Sequence, residues 1–194
     1  MEVVAICSSP RAGGNTATLV EAMLEGAREA GTETVRFDAA KLKIGDCDAD
    51  RQCLDSAEAR CVLDDDMQEV YTRLQGAKAW IFATPIYFWN VNAAMKRVID
   101  RLFAFYTTEG GWRLGLEGKR RGAVVVVQAD ADKDVPERIA EYLASVMRDL
   151  NVEVVGSMAE GSLGEPGDAA TRPELLARAK EIGRVLASGA QASR

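Results

Sequence analysis

Apolar positions along the chain alternate between two patterns, short unbroken runs and a 3.6-residue recurrence. Val3–Cys7 reads as a short apolar strand followed by a turn of Ser, Pro, Arg and Gly. From Thr16 onward Leu19, Val20, Met23, Leu24 and Ala27 recur at helical spacing, and the helix ends near Gly31. Thr34–Phe37 reads as a second strand. Asp65-Asp66-Met67-Gln68 opens another helix, its early acids suited to the positive end of the helix dipole. Its inner stripe is Met67, Val70, Tyr71 and Leu74. Ala79–Thr84 reads as a third strand bounded by Pro85. Asn90 to about Phe103 reads as a helix with Val91, Ala94, Met95, Val98, Ile99 and Leu102 along one face. Ala123–Gln128 is a near-continuous valine run, as expected of a strand buried on both faces. Asp134 starts a helix that buries Ile139, Leu143, Met147 and Leu150, and Val152–Val155 is the fifth strand. Thr171-Arg172-Pro173-Glu174 reads as a capping box leading a last helix that closes near Gly189.

Five strands alternating with five helices predict an α/β fold, a five-stranded parallel sheet wound with helices on both faces. No repeat, low-complexity segment or linker interrupts the alternation, so residues 1–194 read as one domain. Two stretches exceed ordinary loop length. One is 40–64, which carries Cys47, Cys53 and Cys61; the other is 106–118, with Gly110-Gly111-Trp112.

Composition narrows the function. Against 24 Lys and Arg stand 30 Asp and Glu, a formal charge of −6, which argues against affinity for a nucleic-acid backbone. No apolar run approaches the ~18 residues of a membrane span, and the first residues lack a secretory pattern. A cytoplasmic protein is expected, with no nucleic-acid or membrane partner. The absence of histidine excludes Ser-His-Asp and Cys-His catalysis and any His-ligated metal.

Ligands in an open parallel sheet bind beyond the carboxyl ends of the strands, which singles out three loops. The first runs from Ser8 to Thr18 and offers hydroxyls, the Arg11 guanidinium, the Asn15 amide and two glycines ahead of a helix N-terminus. It suits a phosphate; it also reads as a polar turn with Asn15 as N-cap. The second loop, Thr84 to Asn90, carries Tyr87, Phe88 and Trp89, which could stack on a flat ligand or close a dimer interface. The third, Gln128 to Asp132, supplies backbone contacts or is an acidic surface turn. Three such loops around one planar, phosphorylated ligand describe FMN.

Ser9-Pro10-Arg11 with Asn15-Thr16, and Ala83-Thr84-Pro85-Ile86-Tyr87 followed by Lys96 and Asp100-Arg101, resemble the flavodoxin-like NAD(P)H-dependent FMN reductases. Cys47 through Asp65-Asp66-Met67 resembles the iron–sulfur flavoprotein branch, and Gly161 to Gly183 continues the match. The resemblance spans nearly the whole chain. It implies a flavodoxin-like three-layer sandwich, FMN as cofactor and NAD(P)H as co-substrate. Ser9, Arg11, Asn15 and Thr16 would hold the FMN phosphate. Pro85, Ile86, Tyr87 and Trp89 would border the isoalloxazine, with Gln128 and Ala129 on its other side. No side chain is then required as acid or base, because hydride passes directly to the flavin. Electrons would go on to a flavin, a quinone or another acceptor. The 106–118 loop would help form a homodimer or homotetramer. In the iron–sulfur branch Cys47, Cys53 and Cys61 match three of four cluster thiols, but the remaining position is Asp50. An iron–sulfur cluster, a Cys3Asp zinc site and plain thiols all remain open, and with the first comes an electron relay between redox proteins. A non-catalytic binding protein on the same fold is the reading from a different class. Lys96, Arg97 and Arg101 read as a solvated or interface face pairing with Asp100, and Cys7 as a small core residue.

Overall fold

The computed structural model describes residues 2–56 and 58–188. In chain order the elements are β1 (Glu2–Cys7), α1 (Asn15–Glu29), β2 (Glu33–Asp38), α2 (Met67–Gly76), β3 (Ala79–Tyr87) and β4 (Asn90–Val91). Then follow α3 (Ala93–Arg101), β5 (Tyr106–Thr107), β6 (Arg113–Leu114), β7 (Arg120–Val127), α4 (Asp134–Asp149), β8 (Val152–Glu160) and α5 (Pro173–Ala187). The principal sheet is parallel in the order β2-β1-β3-β7-β8, the flavodoxin-like winding.

Side-chain alternation along the central strands builds two cores. Val4 and Ile6 of β1, Trp80 and Phe82 of β3, and Val124 and Val126 of β7 face α2, α3 and α4. Val3, Ala5, Ile81, Ala83 and Val125 face α1 and α5. All these residues are wholly buried. Cys7 lies in the second core, where burial pushes its thiol up from its ordinary pKa.

Several boundaries differ from the sequence expectation. β3 does not stop at Pro85 but runs to Tyr87. The last β1 pairing is Cys7 with Ala83, so Pro85 stands beyond it and its missing N–H forfeits no bond on that side. α3 begins at Ala93, not Asn90, because Asn90–Val91 pairs antiparallel with Ile86–Tyr87 and Asn92 caps the helix. It passes into a 3-10 turn at Leu102–Phe105. β8 extends to Glu160, five residues past the expected end; as an edge strand it tolerates Gly156 and Ser157. The Thr171 capping box does not form: Arg172 is the N-cap without a side-chain bond, and the Thr171 hydroxyl donates to the Asp168 carbonyl. The expected helix close near Gly189 lies outside the described residues. Residues 106–118 fold as a small hairpin of β5 and β6, with Gly110 and Gly111 at positive φ.

Candidate functional site

The turn after β1 is built to present N–H groups. Gly14 N–H donates to the Arg11 carbonyl, and the first α1 hydrogen bond is Thr18 N–H to the Gly14 carbonyl. The N–H groups of Asn15, Thr16 and Ala17 therefore precede the helical ladder and face the helix mouth. Gly14 keeps the turn close: a Cβ would sit 3.0 Å from Arg11 Cβ and 3.1 Å from Ser9 Oγ, a tight contact that would make its neighbours give by a few tenths of an ångström. Ser9 Oγ accepts from Arg11 N–H at 3.3 Å, while the Arg11 side chain is exposed.

Gly14 is the N-cap, so Asn15 is not; it is the first residue of α1. Its buried amide donates to the carbonyls of Leu163 (3.0 Å) and Glu165 (2.8 Å) and accepts from Ala169 N–H. The side chain is thus committed to holding the 163–169 loop, and what Asn15 presents at the mouth is its backbone N–H.

A cleft of about 160 Å³ opens here, lined by Ser9, Arg11, Gly14, Asn15 and Thr16 from the first loop. Pro85, Ile86 and Tyr87 line it from the second and Gln128 and Ala129 from the third. The three loops expected from sequence thus meet at one place. Trp89 is the expected residue that does not line it. Leu163 and Gly164 line it and were not anticipated.

Tyr87 and Asn90 pair across a two-residue turn in which Phe88 (φ 49°) and Trp89 (φ 61°) are both left-handed. Phe88 is 92% exposed and Trp89 62%, their rings edge to face at 4.9 Å. Beneath the cleft, Asn92 was also missed. Its side chain donates to the Ser8 carbonyl at 2.7 Å and accepts from Met95 N–H, while its own N–H meets Thr84 Oγ1. One capping residue so ties the ends of β1 and β3 to α3; an Asn ahead of Ala-Ala-Met was the available clue. The third loop is held by Gln128, whose amide donates to the carbonyls of Asp130 and Asp132. Gly161 is obligatory beside it, since a Cβ would fall 2.6 Å from the Asp130 carbonyl oxygen.

A second, larger cavity of about 610 Å³ lies on the α3 and α4 side of the sheet. Cys47, Cys53, Cys61 and Asp50 line it, with Arg101, Phe103 and Tyr106. Burial pushes the Cys53 thiol up, and neighbouring Cys61, Asp50 and Cys47 act in the same direction. Among the described residues no three His, Cys, Asp or Glu side chains converge on a single metal-ion position. The 106–118 hairpin packs here rather than at the smaller cleft: Thr107 and Thr108 both donate to the Leu54 carbonyl. Trp112, 60% exposed, stacks on Tyr106 at 5.4 Å.

The sequence reading puts Arg101 on a solvated or interface face pairing with Asp100; its side chain is instead wholly buried. It forks onto Asp65, Nη1 to Oδ2 at 2.7 Å and Nη2 to Oδ1 at 3.2 Å, and Nη1 also donates to the Gly45 carbonyl. Burial raises the Asp65 pKa, but the guanidinium and the N–H groups of Gly45 and Met67 outweigh it and hold the carboxyl below its ordinary value. Lys96 does pair with Asp100, and Arg97 with Asp46.

Comparison with known proteins is consistent with this geometry. The family model described as NADPH-dependent FMN reductase matches residues 1–159. An iron–sulfur flavoprotein of Archaeoglobus fulgidus is 33% identical over 189 residues, covering 96% of this chain and 79% of that protein. One of Methanosarcina thermophila is 37% identical over 101 residues, 52% of each chain. Among solved structures, an NAD(P)H:quinone oxidoreductase from Methanothermobacter marburgensis superposes with a TM-score of 0.71 at 24% identity, over 95% of this chain and 98% of that one. An archaeal flavodoxin gives 0.59 at 15%, covering 96% of each. With that family model matching residues 1–159 and a relative 33% identical across most of both chains, this chain belongs to the NADPH-dependent FMN reductase family.

Proposed function

We propose that the protein is an FMN-dependent oxidoreductase that takes hydride from NAD(P)H and passes electrons to a free flavin, a quinone or another small acceptor. The observation that carries this reading is the convergence of the three strand-end loops on the cleft at the α1 N-terminus. Ser9, Arg11, Thr16 and the N–H groups of Asn15, Thr16 and Ala17 would hold the phosphate, where N–H dipoles and a guanidinium both favour a dianion. Pro85, Ile86 and Tyr87 would flank the isoalloxazine on one side and Gln128 and Ala129 on the other, with Trp89 beyond the cleft. FMN, when bound, supplies the hydride acceptor, which is why a chain without histidine suffices. The exposed aromatics Phe88, Trp89 and Trp112 offer apolar surface for a homodimer or homotetramer. Among the described residues no helix is long and apolar enough to cross a membrane.

The test is steady-state oxidation of NADPH and of NADH by FMN-loaded protein, with free FMN and a quinone as acceptors. Acceptor-dependent turnover supports the reading. Failure to bind FMN at micromolar concentration overturns it and leaves a non-catalytic flavodoxin-like protein.

One observation favours a second reading, an additional iron–sulfur centre that makes the protein an electron relay. Three thiols and Asp50 line one cavity, although among the described residues they do not converge on a single point. A donor set spread around the walls suits a polynuclear centre better than a single ion. Cys47, Cys53 and Cys61 would hold it, with Asp50 as the harder, weaker fourth donor. Such a centre supplies one-electron transfer. Iron and acid-labile sulfide, assayed on protein purified without oxygen, decide this: stoichiometric amounts support it, and their absence after reconstitution removes it.

A further inference from the structure

We propose that a basic recess beside the third loop takes the ribose 2′-phosphate of NADPH, so that Lys133 and Arg172 set a preference for NADPH over NADH. The inference rests on the oxidoreductase reading above and names the nicotinamide nucleotide which that reading uses.

The recess has a volume of about 490 Å³ and is walled by the end of the edge strand β8 and by the starts of α4 and α5. Lys133 is the N-cap of α4 and Arg172 that of α5, and Arg178 follows on α5. Both helices add the positive ends of their dipoles to these three cations. The carboxylates on the wall are Glu137 and Glu160. Arg178 neutralises Glu160 at 2.9 Å and donates from its other terminal nitrogen to the Ser157 carbonyl. Arg172 gives Nη2 to the Ser162 carbonyl at 2.6 Å. Among the described residues neither Arg172 nor Lys133 pairs with a carboxylate, so both charges are available to a ligand. A guanidinium and an ammonium on one recess suit a phosphate monoester, which accepts from both.

Position narrows the anion further. Recess and FMN cleft are two sides of one partition. Ala129, Leu163 and Gly164 line the cleft, while Ala131, Gly161 and Ser162 line the recess. The two segments are zipped together by Leu163 N–H to the Gln128 carbonyl (3.0 Å) and Ser162 N–H to the Asp130 carbonyl (2.8 Å). A dinucleotide with its nicotinamide at the cleft has to lay its adenosine end on a neighbouring surface. This one carries charge for the phosphate that distinguishes NADPH from NADH. A groove of about 440 Å³ borders the first loop, but its cations Arg36 and Lys180 are already held by Asp38 and Glu25.

The test compares FMN-loaded wild-type protein with Lys133→Gln and Arg172→Gln. Arg138→Gln is the control, removing an exposed charge of α4 that does not line the recess. Steady-state kcat/KM is measured for NADPH and for NADH with a quinone as acceptor, and calorimetry measures binding of adenosine 2′,5′-bisphosphate, AMP and inorganic phosphate. The expected result is a wild-type preference for NADPH. Each recess variant should lose about tenfold in kcat/KM for NADPH, through KM, and in affinity for the bisphosphate, with NADH kinetics kept. Wild-type protein that uses both nucleotides equally overturns the proposal and leaves the oxidoreductase reading standing. An equal fall in Arg138→Gln also overturns it, reducing the effect to net charge, as does AMP or inorganic phosphate bound as tightly as the bisphosphate. Oxidation of neither nucleotide counts against the oxidoreductase reading; the bisphosphate then decides the recess, its binding in wild type and loss in the variants supporting it and no binding overturning it. Should Arg172→Gln loosen the turn at Ser162, Lys133→Gln decides alone.

Discussion

Two adjacent aromatic residues in the left-handed region are an expensive way to turn a chain. Phe88 and Trp89 hold φ of 49° and 61°, where Asn and Gly are the ordinary occupants of a two-residue hairpin turn. Strain of this kind persists where the surroundings impose it, and it gathers at binding sites. Because Phe88 is 92% exposed, Phe88→Asn should relieve about 1 kcal/mol of strain and raise Tm by about 2–4 °C. Calorimetry checks this, and a lower Tm would show the ring buried against another molecule. Arg11, also exposed, gives the complementary test of binding: Arg11→Ala should weaken FMN by about 1.5–3 kcal/mol, ten- to a hundredfold or more, by fluorescence titration. An unchanged affinity would place the guanidinium elsewhere. Asp65 sets a pH dependence. Its carboxyl is held below the ordinary value, so its contribution is complete above a pH of about 4 and is lost as pH falls through the lower folded-state value. Removing half of a buried pair in Asp65→Asn should cost about 3 kcal/mol at neutral pH, and urea midpoints between pH 5 and 2 should fall less steeply than in wild type.

At the scale of elements, the packing of α1 on α5 depends on glycines. A Cβ on Gly183 would fall 1.9 Å from the Met23 carbonyl oxygen, and one on Gly26 2.0 Å from that of Lys180. Neither neighbour is a side chain that could swing away. Gly183→Ala should therefore push α5 from the sheet and cost about 3 kcal/mol in chemical denaturation. The central strands were legible because burial on both faces leaves an unbroken apolar run, as in Val124–Val127. Edges and junctions were not. β8 gains pairing on one side only, so its sequence need not stay apolar, and the Asn90–Val91 pairing depends on a turn no propensity rule would assign to Phe-Trp. Arg101 escaped for a similar reason: its partner Asp65 lies 36 residues away, beyond the reach of any local spacing rule.

For the whole molecule, the loops at the strand ends were readable because topology alone brings them together; the larger cavity was not, since it forms where the 40–64 segment folds back on α3 and α4. Ligand linkage gives a direct measure of the smaller cleft. FMN at a hundredfold excess over its Kd should stabilise the native state by about 2.7 kcal/mol and raise Tm by roughly 5–10 °C. A melting curve unmoved by FMN would count against the cleft. Helix α3 connects the two places. Its N-cap, Asn92, is bonded to the ends of β1 and β3 under the cleft, and its last residue, Arg101, lines the cysteine cavity. The nine residues of the helix, Ala93 to Arg101, make a rod of about 13 Å. Unlike a loop, a helix tied at both ends cannot be shortened or stretched by thermal motion. The spacing between the two cavities is therefore gauged by a whole number of residues, and inserting one would change separation and facing together, by about 1.5 Å and a hundred degrees of rotation.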